Sequence, residues 1–148
     1  MVDNHYSFIK DNLMRANNEI TLTLDMAWDL CLEQWDWIKA EIEAGSKLSK
    51  ALTWLLLFLS SDVDVEGLKG QWCEENGFEG VHGDCFFCEY VNQQPRIDFD
   101  SPRCDNCPGR LVDPEFYCEQ SEYHYYYKPL AFHAELMRLN KIRLGLKE

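Results

Sequence analysis

Two short cysteine pairs, Cys85-Phe-Phe-Cys88 and Cys104-Asp-Asn-Cys107, are the residues of this sequence best suited to chemistry. Fifteen residues separate them, which is the spacing of a four-thiolate zinc site. Zinc takes four soft ligands at the corners of a tetrahedron, and a Cys-x-x-Cys turn delivers two sulfurs to adjacent corners. Pro108-Gly109, directly after Cys107, suits the tight turn of such a knuckle. Four thiolates leave no open coordination position, so Zn2+ bound by Cys85, Cys88, Cys104 and Cys107 is expected to be structural. Formation of the site and folding of the chain around it are then coupled. An iron–sulfur centre uses the same four thiolates, and the spacing alone does not separate the two.

The other cysteines compete for a place in that site. Cys118 follows Cys107 by eleven residues and is the strongest rival for one of the four positions; Cys73 and His124 are weaker ones. Cys31 belongs to a helical apolar stripe, where a free cysteine packs as a small hydrophobe. Seven cysteines is an odd number, and no secretory leader is apparent at Met1-Val-Asp-Asn-His5, so the pattern points to metal and away from disulfides. A thioredoxin-like role needs a reactive pair beside a βαβ pattern, which the sequence lacks. His133-Ala-Glu135 spells the His-x-Glu of zinc deaminases, but here it follows both cysteine pairs, and no proline directly precedes either pair. No Ser/His/Asp order, phosphate-cradling glycine loop or His-Glu-x-x-His is present either, so a non-enzymatic role is expected.

The elements that must position these cysteines are mostly helices. Residues 5–18 place Tyr6, Phe8, Ile9, Leu13 and Met14 near one helical face. Leu24, Trp28, Cys31, Trp35, Ile38 and Ile42 recur at spacings of 4, 3, 4, 3 and 4, an apolar stripe that Gly45 is expected to end. Asp25, Asp29, Glu33, Asp36, Glu41 and Glu43 lie between the stripe positions. A third helix is expected over 48–59, and Ser60–Asp64 offers caps for a short one through Trp72 and Cys73 that stops at Gly77. Glycines and prolines punctuate residues 77–114, so turns and short strands are expected there. Tyr123, Tyr125 and Tyr127 alternate with other residues as in a short strand. Pro129 opens a last helix with Leu130, Phe132, Leu136, Met137, Leu139 and Ile142 as its apolar face. The resulting expectation is a mainly α fold, α+β with little strand, in a single domain over 1–148. Its parts are a helical layer (1–76), a zinc-knuckle part (77–128) and a returning helix (129–148).

Composition supports a packed core, with 46% hydrophobic and 14% aromatic residues. The longest apolar run, Ala51–Leu59, rises only about 14 Å as a helix and falls short of a bilayer core of about 30 Å. It suits a buried helix or a dimer interface, and the protein is expected to be cytoplasmic without membrane contact. The net charge is −12, and it is unevenly spread. Residues 1–70 carry 6 Lys/Arg against 12 Asp/Glu, residues 71–128 carry 4 against 12, and the last twenty carry 4 against 2. An acidic body repels phosphate, which makes nucleic acid an unfavourable partner and a basic protein surface a favourable one.

Cys85-Phe-Phe-Cys88-Glu-Tyr90, Cys104-Asp-Asn-Cys107-Pro108, Cys118 and the tyrosine-rich stretch after it form a recurring pattern. With Trp35, Trp72 and Glu75-Asn-Gly-Phe78, it resembles small cysteine-rich zinc-binding proteins common in tailed-bacteriophage genomes. The resemblance covers roughly residues 28–130 and is strongest over the two knuckles. It implies a bound metal and a phage origin; such proteins mostly lack an assigned activity, so it carries over no catalytic residue. A fifth cysteine recurs in the pattern, which keeps Cys118 in contention. Two functional expectations follow. One is an acidic inhibitor that docks on a host protein, imitating nucleic acid through the helix over Leu24–Ile42 and Asp98-Phe-Asp100. The alternative is a nucleic-acid-binding zinc module that uses Lys128, Arg138, Lys141, Arg143 and Lys147 of the basic C-terminal segment.

Overall fold

The computed structural model describes residues 21–49, 63–95 and 103–146. The expected helices over 5–18 and, beyond Ser49, over 48–59 lie outside the described residues, as does Asp98-Phe-Asp100. The fold is mainly α. Its elements are α1 (Leu24–Ser49), α2 (Val65–Glu75), α3 (Phe86–Gln93), α4 (Pro108–Val112) and α5 (Pro129–Arg143), with 3-10 turns at His82–Asp84 and Arg103–Asn106. Among the described residues no helix is long and apolar enough to cross a membrane.

Helix α1 is the central element, and α2, α3, α4 and α5 all pack on it. Thr23 opens it, its hydroxyl accepting the Met26 amide at 3.2 Å. The stripe read from the sequence is buried at Trp28, Cys31, Trp35 and Ile38, while its ends, Leu24 and Ile42, are partly exposed. Ala27, Leu30 and Gln34 are buried too, because neighbours cover more of the helix than one stripe. Gly45 does not end α1, which continues to Ser49. A glycine inside a helix costs about 1 kcal/mol relative to alanine, too little to stop an otherwise favourable run.

Helix α2 begins and ends as its sequence suggests. Asp64 caps it by accepting the Gly67 amide at 3.0 Å. At the other end Gly77 takes φ 76°, the Phe78 amide donates to the Cys73 carbonyl at 2.8 Å, and the Gly77 amide donates to Glu74 at 3.2 Å. These paired bonds satisfy carbonyls that the last turn leaves open. They also fold Phe78 back onto Trp72, ring centroids 5.7 Å apart and parallel, with Phe86 edge-on to both. Buried residues from Leu22 to Leu139 form one cluster.

The stretch after Gly77 differs from expectation. Its regular parts are helices α3 and α4, and no strand occurs among the described residues. The tyrosine-rich segment is a series of turns, with Tyr123 donating to the Gln120 carbonyl and Tyr125 to the Cys118 carbonyl at 3.1 and 3.0 Å. With no neighbouring strand to complete a ladder, alternation alone does not hold the chain extended. Pro129 stands in the first turn of α5 as expected, and Phe132, Leu136 and Leu139 face the core. Leu130, Met137 and Ile142 remain exposed, so the apolar face of α5 is narrower than its composition suggests.

Candidate metal centre

Each cysteine pair is built into the start of a helix. Cys85 is the N-cap residue of α3, and Cys88 lies in its first turn. Cys107 is the N-cap residue of α4, and its amide donates at 3.1 Å to the carbonyl of Cys104, which lies in the preceding 3-10 turn. Helix N-termini favour negative charge, which at both positions works against the cost of burying a thiolate. Neither N-cap sulfur takes a well-aligned capping hydrogen bond. The amides of Phe87 and Cys88 nevertheless lie close enough to Cys85 to favour its thiolate, as do those of Gly109 and Arg110 for Cys107.

The approach to Cys85 is unusually constrained. Asp84 adopts φ 51°, in the left-handed region that suits glycine, and its carbonyl accepts a 2.9 Å hydrogen bond from Gln34 Nε2. Gln34 is buried on α1, and the same nitrogen reaches the Lys69 carbonyl at 3.4 Å and Cys73 Sγ at 3.5 Å. One side chain of the central helix therefore ties α2 to the turn that leads into the first knuckle. Phe87, between Cys85 and Cys88, packs edge-on against Trp28 at 4.7 Å.

The second knuckle is fixed from its far side. A Cβ on Gly109 would meet the ring of buried Phe116 at 2.5 Å, so this glycine lets α4 lie against the segment that leads to Cys118. Cys118 is thereby brought into the neighbourhood of both knuckles.

Electrostatics express this gathering. The Cys88 thiol, acting as hydrogen-bond donor, holds Cys85 below the usual thiol range, and Cys88 itself is raised. Burial pushes both Cys107 and Cys118 up to about 12, with further increments from Cys85 in each case. Cys85, Cys107 and Cys118 act on Cys88, and Cys104 acts on Cys118. Cys88 and Cys104 are exposed, while Cys85, Cys107 and Cys118 are half-buried. Among the described residues, no three His, Cys, Asp or Glu side chains converge on one point closely enough to hold an ion. The donor set itself suits a soft or borderline divalent ion: five thiols in one region, two of them at helix N-termini.

The remaining candidates separate cleanly. Cys31 and Cys73 are buried core residues, their thiols raised first of all by burial, Cys73 to about 12. The His124 ring packs against Tyr125 and Tyr127, and its Nδ1 faces the Tyr126 amide at 3.2 Å. His133 and Glu135 do not act together, since His133 Nε2 lies 2.6 Å from Asp36 Oδ1 and Glu135 pairs with Arg138 at 2.6 Å.

Sequence reading overlooked Lys69, Gln34 and Asp84. Lys69 is visible in retrospect, because it occupies the buried stripe of α2 together with Val65, Trp72 and Cys73. Gln34 lies one turn from Leu30 and Ile38 on a buried face of α1, where a polar residue needs a partner.

Comparison with protein-family models, with curated proteins and with solved structures finds no match to this chain.

Proposed function

We propose that this chain is a zinc-stabilised, acidic, phage-type binding protein that acts in the host cytoplasm by docking on a host protein with a basic surface. It inhibits or redirects that partner without catalysis of its own, in the manner of a nucleic-acid mimic. Cys85, Cys88, Cys104 and Cys107 hold the structural zinc in this reading. One observation carries the docking mode, the segregation of charge. Among the described residues, Lys128 and Lys141 are exposed cations and the partly exposed Lys39 and Arg138 are paired with carboxylates, whereas exposed carboxylates cover α1 (Asp25, Asp29, Asp36, Glu41, Glu43), α2 (Glu66, Glu74, Glu75) and the turns before α5 (Glu115, Glu119, Glu122). Such a surface steers toward basic partners and away from phosphate.

Cations of the C-terminal helix are partly engaged within the molecule. Arg138 pairs with Asp113 and Glu135 at 2.9 and 2.6 Å. Arg143 reaches Asp25 at 2.8 Å and lies over the Trp28 ring at 5.0 Å. That engagement weighs against the alternative reading, in which this helix contacts nucleic acid. Some acidic residues of α1 are engaged as well, Asp25 by Arg143, Asp36 by His133 and Glu43 by Lys39. Among the described residues, the acidic face without an ion-pair partner is therefore better represented by Asp29 and Glu41 with Glu74 and Glu79.

The test is affinity capture from bacterial lysate with the native chain, a Cys85→Ser/Cys88→Ser variant and an Asp29→Lys/Glu41→Lys/Glu74→Lys variant. A basic protein retained by the native chain, released by moderate salt and lost with both variants is the expected result. Retention unchanged by charge reversal overturns the mimicry reading. A gel shift with nucleic acid that survives in the native chain and vanishes on deleting residues 138–148 would favour the alternative.

A further inference from the structure

The tyrosine-rich turns before α5 carry an aromatic side chain that is both held and open. Tyr127 is 76% exposed, yet its ring meets His124 at 4.7 Å and Tyr126 at 5.2 Å, the latter nearly perpendicular to it. Those neighbours are anchored in turn. Tyr126 meets Tyr125 edge-on at 6.4 Å, and Tyr125 meets the buried ring of Phe132 at 6.3 Å. The Tyr126 amide donates to His124 Nδ1 at 3.2 Å, and the Lys128 amide donates to the His124 carbonyl at 2.7 Å. A series of ring contacts thus runs from the core out to a tyrosine that faces water. Ordering an exposed side chain normally costs entropy on binding, and here part of that cost is met before any partner arrives.

The surroundings of this ring are negative. The Tyr125 amide donates to the Cys118 carbonyl at 3.0 Å and closes a loop that carries the exposed Glu119 and Glu122. The Tyr117 hydroxyl donates to Glu119 Oε2 at 3.0 Å and orients that carboxylate. From Asp113 to Tyr127 the sequence holds four carboxylates and no lysine or arginine, and Lys128 adds one cation at the edge. Elsewhere the molecule sets its own cations against aromatic faces, Lys69 over Tyr125 at 4.9 Å and Arg143 over Trp28 at 5.0 Å. No cation of the described residues lies over Tyr127.

We infer that Tyr127 anchors the docking surface and receives an arginine side chain of the basic partner on its ring. The inference rests on the partner being a basic protein, as proposed above. A guanidinium is planar, stacks on aromatic faces and is more weakly hydrated than an ammonium, so it loses less on leaving water. Glu119 and Glu122 draw a cation to this loop, and the held ring fixes where it lands. The carboxylates of α1 and α2 then steer the encounter, whereas Tyr127 selects the residue that docks.

The test titrates the full chain with a short lysine peptide that has one central arginine, and with its all-lysine counterpart. Tyr127→Leu removes the aromatic face and keeps an apolar side chain, and Tyr127→Phe keeps the face. The ring is exposed, so both variants are expected to keep native thermal stability. Tyr127→Leu is expected to lose about two- to fivefold in affinity for the arginine peptide, the usual worth of such a contact at an exposed site. Tyr127→Phe should bind as the native chain does. In NMR spectra the arginine side-chain protons of the peptide should move upfield on binding to native protein and to Tyr127→Phe, and not with Tyr127→Leu. That ring-current response is one that charge attraction alone does not produce. A native chain that binds the two peptides equally, or a Tyr127→Leu variant unchanged in affinity and proton shift, overturns the inference and leaves the basic-partner reading intact. A native chain that binds neither peptide overturns both.

Discussion

The ring of Phe116 occupies the space that a side chain on Gly109 would need. A Cβ there would stand 2.5 Å from both Cδ1 and Cε1 of a ring that is almost fully buried. Gly109 immediately follows Cys107-Pro108, and Phe116 lies two residues before Cys118, so this contact sets how closely two cysteine-bearing segments approach. Phe116 also stacks parallel to Tyr123 at 5.9 Å and tilts against Phe132 at 6.1 Å, which leaves its ring little freedom to yield.

Gly109→Ala is therefore expected to destabilise the fold by about 1–3 kcal/mol, the usual range for overpacking a closed core. Chemical denaturation of metal-loaded protein checks this. The paired Gly109→Ala/Phe116→Leu variant should recover part of the loss, because removing the aromatic edge reopens the space.

Trp28 joins the central helix to the first knuckle. It is fully buried, meets Phe87 edge-on at 4.7 Å and carries the Arg143 guanidinium over its face at 5.0 Å. Trp28→Ala should cost about 3–5 kcal/mol in stability. It should also weaken metal binding, since Phe87 separates the two cysteines of the pair. A variant that denatures early yet binds metal with native affinity would show that the knuckle does not depend on this anchor.

Glu33 supplies a pH signature. Burial, aided by the charge of Asp36, raises its carboxyl to about 7, and its buried Oε2 has no hydrogen-bond partner among the described residues. Between the unfolded value near 4.5 and the folded value near 7 the native state holds a proton that the unfolded chain has released. This contribution to stability is therefore full below pH 4.5, falls as pH rises through the window and is absent above 7. Allowing for solvent screening of a partly exposed group, the fall is on the order of 1 kcal/mol. Glu33→Gln should remove that slope, so that the stability of the variant relative to the native protein rises by about that amount between pH 4.5 and 7.

Serine replacement resolves the metal ligands. Native protein should bind about one zinc per chain, and Cys85→Ser, Cys88→Ser, Cys104→Ser and Cys107→Ser should each lower affinity strongly, whereas Cys118→Ser keeps the stoichiometry. Metal analysis with chelator titration reads both quantities. The opposite ranking of Cys104 and Cys118 would transfer the fourth ligand to Cys118, the half-buried one of the two. Chelation of the native protein should raise amide exchange across residues 85–128 well before it does so in α1, because site formation and local folding are coupled.

Local features of the chain were legible without tertiary information. The spacing of Trp28, Cys31, Trp35 and Ile38 defines one face of a helix through the 3.6-residue period alone, and these residues are buried. Asp64 as a cap, Gly77 at a positive φ and Pro129 in a first turn act within a few residues of themselves. The expected strand at Tyr123–Tyr127 and the expected stop at Gly45 fail for complementary reasons. A strand needs a partner that local alternation does not supply, and a helix already favoured on both sides of a glycine continues through it.

Sequence by itself determined the helical class, the two closely spaced cysteine pairs and the acidic character, because residue type, spacing and charge are properties of neighbours along the chain. Tertiary structure alone decided that Lys69 and Gln34 are buried, that Asp84 takes a left-handed turn before Cys85, and that Cys118 lies beside residues far from it in sequence. Each of these depends on which distant segment covers which face. The polar groups caught beneath that cover then had to find partners inside the molecule, since water could no longer serve them.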